Sequence, residues 1–383
     1  MYRVQSRLQK GKSCAFLIET KDHMHGRSFF QNIFFSKQSA KSTVGLKGFE
    51  YVDAIFHNLI AEKKVPGIAT TILRQGQVLF QKGYGYADVE NEVPVNPTES
   101  IFRIASISKC ITGLALGKMV EEGILDWDDS FYRHVPYYPK KEYDFTLRQL
   151  ASHTAGIRGY KGKEFALNQP YSIKESIEVF KNDPLVFEPG KGYLYNSFDF
   201  VLLSLAMQEA SGISFEDYVQ ENLLNPLGMI HTFPPNQVST ALDLRFSEFY
   251  TKNRRGFKKA IEVNNFYKLA GGGYLSTSQD IATLGQAMLE QQLLKKDTFN
   301  QLLRAQTIKG KSTYYGLGFQ VSQDVQGKSF IGHVGNSVGA YTNFFVYPKE
   351  SIVICILTNC TNPNVQGDFD ASIRAIMANN TVI

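Results

Sequence analysis

Ser106 and Lys109 stand at i and i+3 in the run Ile104-Ala105-Ser106-Ile107-Ser108-Lys109-Cys110, which opens a helical pattern reaching to about Glu122. On a helix that spacing puts both side chains on one face, one turn apart. A serine hydroxyl becomes a nucleophile when a neighbouring base takes its proton, and a desolvated lysine is such a base. A helix N-terminus adds free backbone N–H groups and the positive end of the macrodipole. Alone, the same pair also reads as an N-cap serine followed by a surface lysine, so the chemistry depends on partners elsewhere in the chain.

Two other stretches offer partners. In FEPGKGYLYNS, residues 187–197, Glu188-Pro189-Gly190 forces a turn and Tyr195-Asn196-Ser197 follows just before a helical run. A lysine ammonium beside Tyr195 would favour its phenolate, making it a general base for the serine and then an acid for the leaving group. The plain alternative is a core tyrosine, one of 20 in the chain. In GHVGNSVGAY, residues 332–341, His333 ends an expected strand, and Gly335 and Gly339 let a backbone or ligand come close. An edge strand there supplies N–H groups for an oxyanion hole. A histidine near a strand end also has an ordinary structural reading.

The elements that must position these residues follow from periodicity. Phe49, Val52, Ile55, Phe56, Leu59 and Ile60 space out a helix over residues 46–64, ended by Pro66-Gly67. Residues 68–73 and 78–84 form a hairpin around Arg74-Gln75-Gly76-Gln77. Helices are expected over a Thr-capped run ending at Gly156, then 171–180, 198–211, 215–224, 277–291 and 298–303. Strands return at 314–322, 329–333, 340–348 and 352–358, and an amphipathic stretch closes the chain at 369–377. Strand-rich ends around a helical middle predict an α+β fold, with an antiparallel sheet built from both ends of the chain, flanked by helices, and a helical insertion. We expect one domain over residues 46–383, its sheet part at 46–110 and 306–383 and its mainly helical part at 111–305.

Composition narrows the function classes. Of 383 residues, 43% are apolar and 20% charged, as in soluble globular proteins. No run approaches the roughly 18 apolar residues of a spanning helix, so no integral membrane segment is expected. Residues 1–45 carry eight Lys/Arg against two acids, a charge of +6 within a total of +5, which leaves −1 for the rest. The basic character therefore sits in the leader, and nothing points to a nucleic-acid partner. That leader reads as an extension outside the fold. Its SCAFLIET segment is too short and interrupted for a signal-peptide core, and its Arg/Lys-rich start fits a mitochondrial transit peptide only weakly. Cys14, Cys110, Cys355 and Cys360 form no C-x-x-C pair, and Cys110 and Cys355 read as buried thiols. The seven histidines form no ligand cluster, so no metal or other cofactor is expected. Gly271-Gly272-Gly273 lacks the strand and Lys-Ser/Thr of a phosphate loop, and His153 reads as structural.

The order of S-x-x-K, Y-x-[NS] and H-x-G resembles the serine β-lactamase and penicillin-binding-protein superfamily. FRIASISK, FTLRQLASHTAGI, PGKGYLYNS, AGGGYLSTSQDIA and GHVGNSVGAY fall where that family carries its recurrent motifs. The look is most similar to the class C branch, which includes class C β-lactamases, D-stereospecific peptidases, certain carboxylesterases and mitochondrial serine β-lactamase-like proteins with their bacterial relatives. The resemblance implies the α/β sandwich of the β-lactamase/transpeptidase type and an acyl-enzyme on Ser106. It implies Lys109 as the proton partner of Ser106, Tyr195 as second base, and the backbone N–H groups of Ser106 and Asn336 as the oxyanion hole. Ser197, Asn196, His333 and Gly335 would line the substrate site. The chain departs from the family in two places. Tyr195-Asn196-Ser197 stands where Tyr-Ser-Asn is more usual, and His333 replaces the lysine of K-T-G, supplying a charge only when protonated. A peptidase or esterase acting on a small molecule or peptide is therefore expected ahead of an antibiotic hydrolase. The competing expectation is a catalytically silent member serving as a binding or scaffolding module. The resemblance favours the cell envelope, periplasm or secretion, with the mitochondrion as alternative, and leaves an oligomer open.

Overall fold

The computed structural model describes residues 39–236 and 244–378. The seven strands of the main sheet are β1 (Gly67–Arg74), β2 (Gln77–Asp88), β3 (Val93–Pro94), β4 (Gln320–Gln323), β5 (Ser329–Ser337), β6 (Ala340–Tyr347) and β7 (Ile352–Thr358). They lie in the order β4-β5-β6-β7-β1-β2-β3. The antiparallel pairing of β1 with β7, Ile68 opposite Thr358 through Arg74 opposite Ile352, joins the two ends of the chain. The sheet is thus built from both termini, as the strand-rich ends imply.

Alternation along the central strands explains the layers, because successive side chains point to opposite faces. In β7, Ile352, Ile354 and Ile356 join one apolar core with Ile68 and Ile72 of β1. That core is closed by helices α1 (Gly48–Ala61) and α6 (Gln366–Ala378). Val353, Cys355 and Leu357 face the other way, into the larger core with Ala69 and Leu73. That face is covered by α5 (Ser278–Leu289), whose Gly285 lies against Val353, Phe344 and Val346, and α2 (Ser108–Glu121) packs into the same core. Between them the chain forms α3 (Leu147–Ala151), started by a Thr146 capping box, and α4 (Phe198–Ser211), ended by left-handed Gly212. Among the described residues no helix is long and apolar enough to cross a membrane.

Several expected boundaries shift, each for a local reason. The strand expected over 314–322 is reduced to β4, because Tyr315, Leu317 and Phe319 are buried in an irregular segment pressed onto α2. Alternating apolar residues imitate a strand there, while Gly316 and Gly318 let the backbone touch Leu302 and Lys109. β5 runs on past His333 to Ser337. The run expected to stay helical to Gly156 ends at Ala151, before His153 at φ +62°. Within 111–305 short strands also occur at Arg245–Phe246, Tyr250–Asn253, Gly256–Lys259 and Leu275–Ser276. Most of the basic leader, with Cys14, lies outside the described residues. The leader's described end is not detached from the fold: Lys41 binds Asp53 and Asn58 of α1.

Gly113 marks the contact between α2 and the 314–319 segment, since a Cβ there would meet the Leu317 carbonyl and lie 2.9 Å from Phe319 Cε2. Gly113→Val should cost about 1–3 kcal/mol by overpacking. A urea titration reads this as a lower midpoint with an unchanged slope, and an unchanged midpoint would show the segment to be freely displaceable.

Candidate active site

The Ser106 segment follows the short strand Ser100–Arg103, which pairs with Leu275–Ser276. Ala105–Ile107 makes a 3-10 turn before α2 begins. Ala105 has φ +49°, a left-handed conformation that costs a side-chain-bearing residue on the order of 1–2 kcal/mol. The surrounding bonds fix it: Ser108 Oγ donates to the Ala105 carbonyl at 2.7 Å and accepts the Tyr274 N–H at 3.2 Å. Thr112 Oγ1 donates to the Ala270 carbonyl at 2.9 Å. Residues 270–274 are thereby tied to α2 and brace the turn that presents Ser106.

Lys109 is fully buried. Its Nζ lies 3.2 Å from Ser106 Oγ and donates to the Gly271 carbonyl, with the rings of Tyr195 and Phe200 at 4.9 Å and 5.4 Å. No carboxylate among the described residues pairs with it within ion-pair distance. Burial, reinforced by the Lys268 charge, lowers its pKa to about 7. Lys268 is itself buried and lowered to about 7, with Arg103 adding to the effect of burial.

Tyr195 Oη lies 2.7 Å from Ser106 Oγ. The residue keeps 40% of its surface exposed while its hydroxyl is bonded to Ser106. Burial pushes its pKa up, opposed only by the bond to Ser106. The expectation that a neighbouring ammonium favours the phenolate does not hold here. The lysine is itself driven towards its neutral form, and the phenol keeps its proton.

His333 is buried, with Nδ1 at 2.7 Å from the Val334 carbonyl and Nε2 at 3.1 Å from Tyr315 Oη. The first contact requires a proton on Nδ1, so Nε2 accepts from the tyrosine. Burial, then the Lys109 charge, lowers its pKa to about 3. It is uncharged at neutral pH, and both its nitrogens are engaged within the protein. Gly335 has a packing role: a Cβ there would strike Thr342 Oγ1 and lie 2.9 Å from the Ile104 carbonyl. Only glycine lets β5 pass so close to the 104–105 turn before Ser106.

Asn336 sits on the free part of the β5 edge, since β4 pairs no further than Gly332. The Val334 N–H points to that edge and donates to Gln320 Oε1 at 3.1 Å. The N–H of Asn336, two residues on, points the same way. Ser197 packs against Gly271, where a Cβ would come within 3.2 Å of the Ser197 Cβ. Asn196 is buried. Its Nδ2 donates to the Ile157 carbonyl at 3.1 Å, the Leu194 carbonyl at 2.9 Å and Asp199 Oδ2 at 2.6 Å, and its Oδ1 accepts the Asp199 N–H at 2.8 Å. The expectation that it binds substrate is corrected by that inward network, which commits the whole amide.

Comparison with known proteins gives this arrangement a family. The Beta-lactamase family model matches residues 52–378. The chain belongs to the beta-lactamase family. It is 30% identical to the human mitochondrial serine beta-lactamase-like protein LACTB, over 77% of this chain and 71% of that protein. Among solved structures, the octameric penicillin-binding protein homologue from Pyrococcus abyssi superposes with a TM-score of 0.74 at 26% identity, covering 85% of this chain and 77% of that one. The D-amino acid amidase from Ochrobactrum anthropi SV3 gives a TM-score of 0.75 at 19% identity, over 85% and 98% of the two chains, a likeness of fold alone.

Within this beta-lactamase-family site, two contributors escape motif reading. Gly271 was legible only as part of a glycine turn at the rim, whereas its carbonyl holds Lys109. His153 packs its ring 4.6 Å from that of Tyr195. Nothing in spacing announces either contact.

Burial of Lys109 has a measurable linkage. Its folded pKa of about 7 lies below the ordinary 10.5, so between those values the unfolded chain binds the extra proton and stability rises with pH. Relative to Lys109→Met, the wild type should gain up to about 1.4 kcal/mol per pH unit between pH 7 and 10. Parallel denaturation curves for the two proteins across that range would contradict the buried, depressed lysine.

Proposed function

We propose that this chain is a serine hydrolase that forms an acyl-enzyme on Ser106 and acts as a peptidase or esterase. The observation carrying the reading is the placement of Ser106 Oγ at 3.2 Å from Lys109 Nζ and 2.7 Å from Tyr195 Oη, with burial holding the lysine pKa near 7. In its neutral form Lys109 donates to Gly271 and offers its lone pair to the Ser106 hydroxyl. The amine takes that proton as Oγ attacks the carbonyl carbon of the substrate. The backbone N–H groups of Ser106 and Asn336 receive the oxyanion, the second from the unpaired β5 edge. Tyr195, still protonated, gives its proton to the departing nitrogen or oxygen, and the Lys109 ammonium restores it. Water then attacks the ester, its proton passing to the same pair, and the leaving Oγ of Ser106 is reprotonated.

The substrate preference follows from His333. A side chain neutral at pH 7 offers no cation to a substrate carboxylate beside β5, so uncharged esters and amides are favoured over penicillin-like acids. Tyr193, Leu194 and Tyr195 expose ring and aliphatic surface nearby, which suits an apolar group. A silent scaffolding role is disfavoured, since both side-chain contacts of Ser106 Oγ, to Lys109 and Tyr195, remain in place.

Ser106→Ala should abolish hydrolysis of a nitrophenyl ester and covalent labelling by a fluorophosphonate, read by intact mass. Equal labelling of mutant and wild type would overturn the assignment. Lys109→Ala should lower kcat/KM by roughly 10³-fold or more.

The base must be neutral, so the pH dependence has a fixed sign. Below about 7 kcat/KM should rise about tenfold per pH unit, then level off, because the Tyr195 proton is retained well into the alkaline range. A profile flat from pH 5 to 8 would exclude Lys109 as the base.

A further inference from the structure

His153 occupies the space behind Tyr195, yet acyl transfer as described makes no use of it. It is buried, and its φ of +62° is uncommon for a residue with a side chain. Its Nδ1 lies 2.8 Å from Asp199 Oδ2, in the first turn of α4. The same carboxyl oxygen accepts Asn196 Nδ2 at 2.6 Å, and Asn196 Oδ1 accepts the Asp199 N–H at 2.8 Å. On the other side of Tyr195 in the chain, the Leu194 N–H donates to the His153 carbonyl at 3.0 Å. Both sequence neighbours of Tyr195 are therefore fastened to this cluster, and the Tyr195 ring rests on the imidazole with centroids 4.6 Å apart.

A buried polar cluster of this kind is expensive, and apolar residues of similar volume would fill the space at lower cost. Burial drives the His153 pKa down and that of the Asp199 carboxyl up, so the pair shares one proton and carries no net charge. What the cluster provides is direction. Hydrogen bonds fix the residues on both sides of Tyr195, and the imidazole meets its ring at an interplanar angle of 62°; apolar packing alone sets such directions only loosely.

We propose that His153, Asp199 and Asn196 form a positioning device that holds the Tyr195 hydroxyl at hydrogen-bond distance from Ser106. This accounts for the exchanged order Tyr195-Asn196-Ser197: the amide at the middle position is turned inward to clamp Asp199. The proposal rests on the reading of Tyr195 as the proton carrier. None of the three touches the reacting atoms, and each acts through Tyr195.

The test is a double-mutant comparison. Asp199→Asn and Asn196→Ser are measured alone and in a Tyr195→Phe background, by steady-state hydrolysis of a nitrophenyl ester on protein shown folded by thermal melting. Each single change should lower kcat by about 10- to 100-fold with KM within about twofold, and in the Tyr195→Phe background the same change should cost less than about twofold. Losses that multiply across the two backgrounds, or full kcat in a folded single variant, overturn the proposal. Should Asp199→Asn not fold, Asn196→Ser carries the same comparison with the His153–Asp199 pair intact. Failure of the underlying reading is separately visible, as Tyr195→Phe matching the wild type or as wild type no faster than Ser106→Ala, and either result removes the proposal with it.

Discussion

Lys109 is sealed beneath Ser106 with a backbone carbonyl, a hydroxyl and two ring faces for company, and no carboxylate among the described residues pairs with it. A carboxylate partner would stabilise the ammonium and hold its pKa high, which suits an ion pair and disables a base. Leaving the amine unpaired costs stability, and much of the surrounding structure serves to keep it there. Thr112 anchors Ala270, the Gly271 carbonyl caps the amine, and Gly318 lets the 314–319 segment lie directly on the Lys109 backbone. The strained Ala105 then turns Ser106 onto the same spot.

The sheet contributes through proximity more than through side chains. β5 passes beneath the turn before Ser106 closely enough that position 335 admits only glycine, and Thr342 of β6 donates to the Ile104 carbonyl at 3.1 Å. Because β4 stops pairing at Gly332, the next stretch of β5 has no strand along that edge. One early strand end thus frees a backbone donor without any change in side-chain chemistry. The two-core architecture makes this rigid: β6 and β7 are buried on both faces, so the edge of β5 is registered against a fixed plane.

Local features were the legible ones. The Ser106–Lys109 pair, helix 198–211 and strand 352–358 depend on spacing of three or four residues or on strict alternation, and their limits come through in the sequence almost unchanged. The 314–319 segment has the same alternation and no strand, since two glycines commit it to α2 instead of to a neighbour in the sheet. Proton states were legible only in part: a desolvated lysine is expected as the base, but its effect on the neighbouring tyrosine is misjudged. Lysine beside tyrosine reads as a charged lysine favouring a phenolate, but burial acts on both groups at once and favours the neutral amine and the neutral phenol. Asn196 shows the same limit: the family resemblance implies a substrate contact, and only the position of Asp199 one turn later turns the amide inward.

The same logic explains why histidine suits position 333. A permanently charged lysine there would lie against Tyr315 and Tyr195 and face Lys109, adding a like charge to a site already pressed by Lys268. That repulsion would favour anionic substrates and push the base further below neutrality. A neutral imidazole bonded to Tyr315 and the Val334 carbonyl removes the repulsion and keeps the strand in place. Next to Ser106 no permanent charge is then added, and the balance between amine and ammonium at Lys109 is left to burial and Lys268.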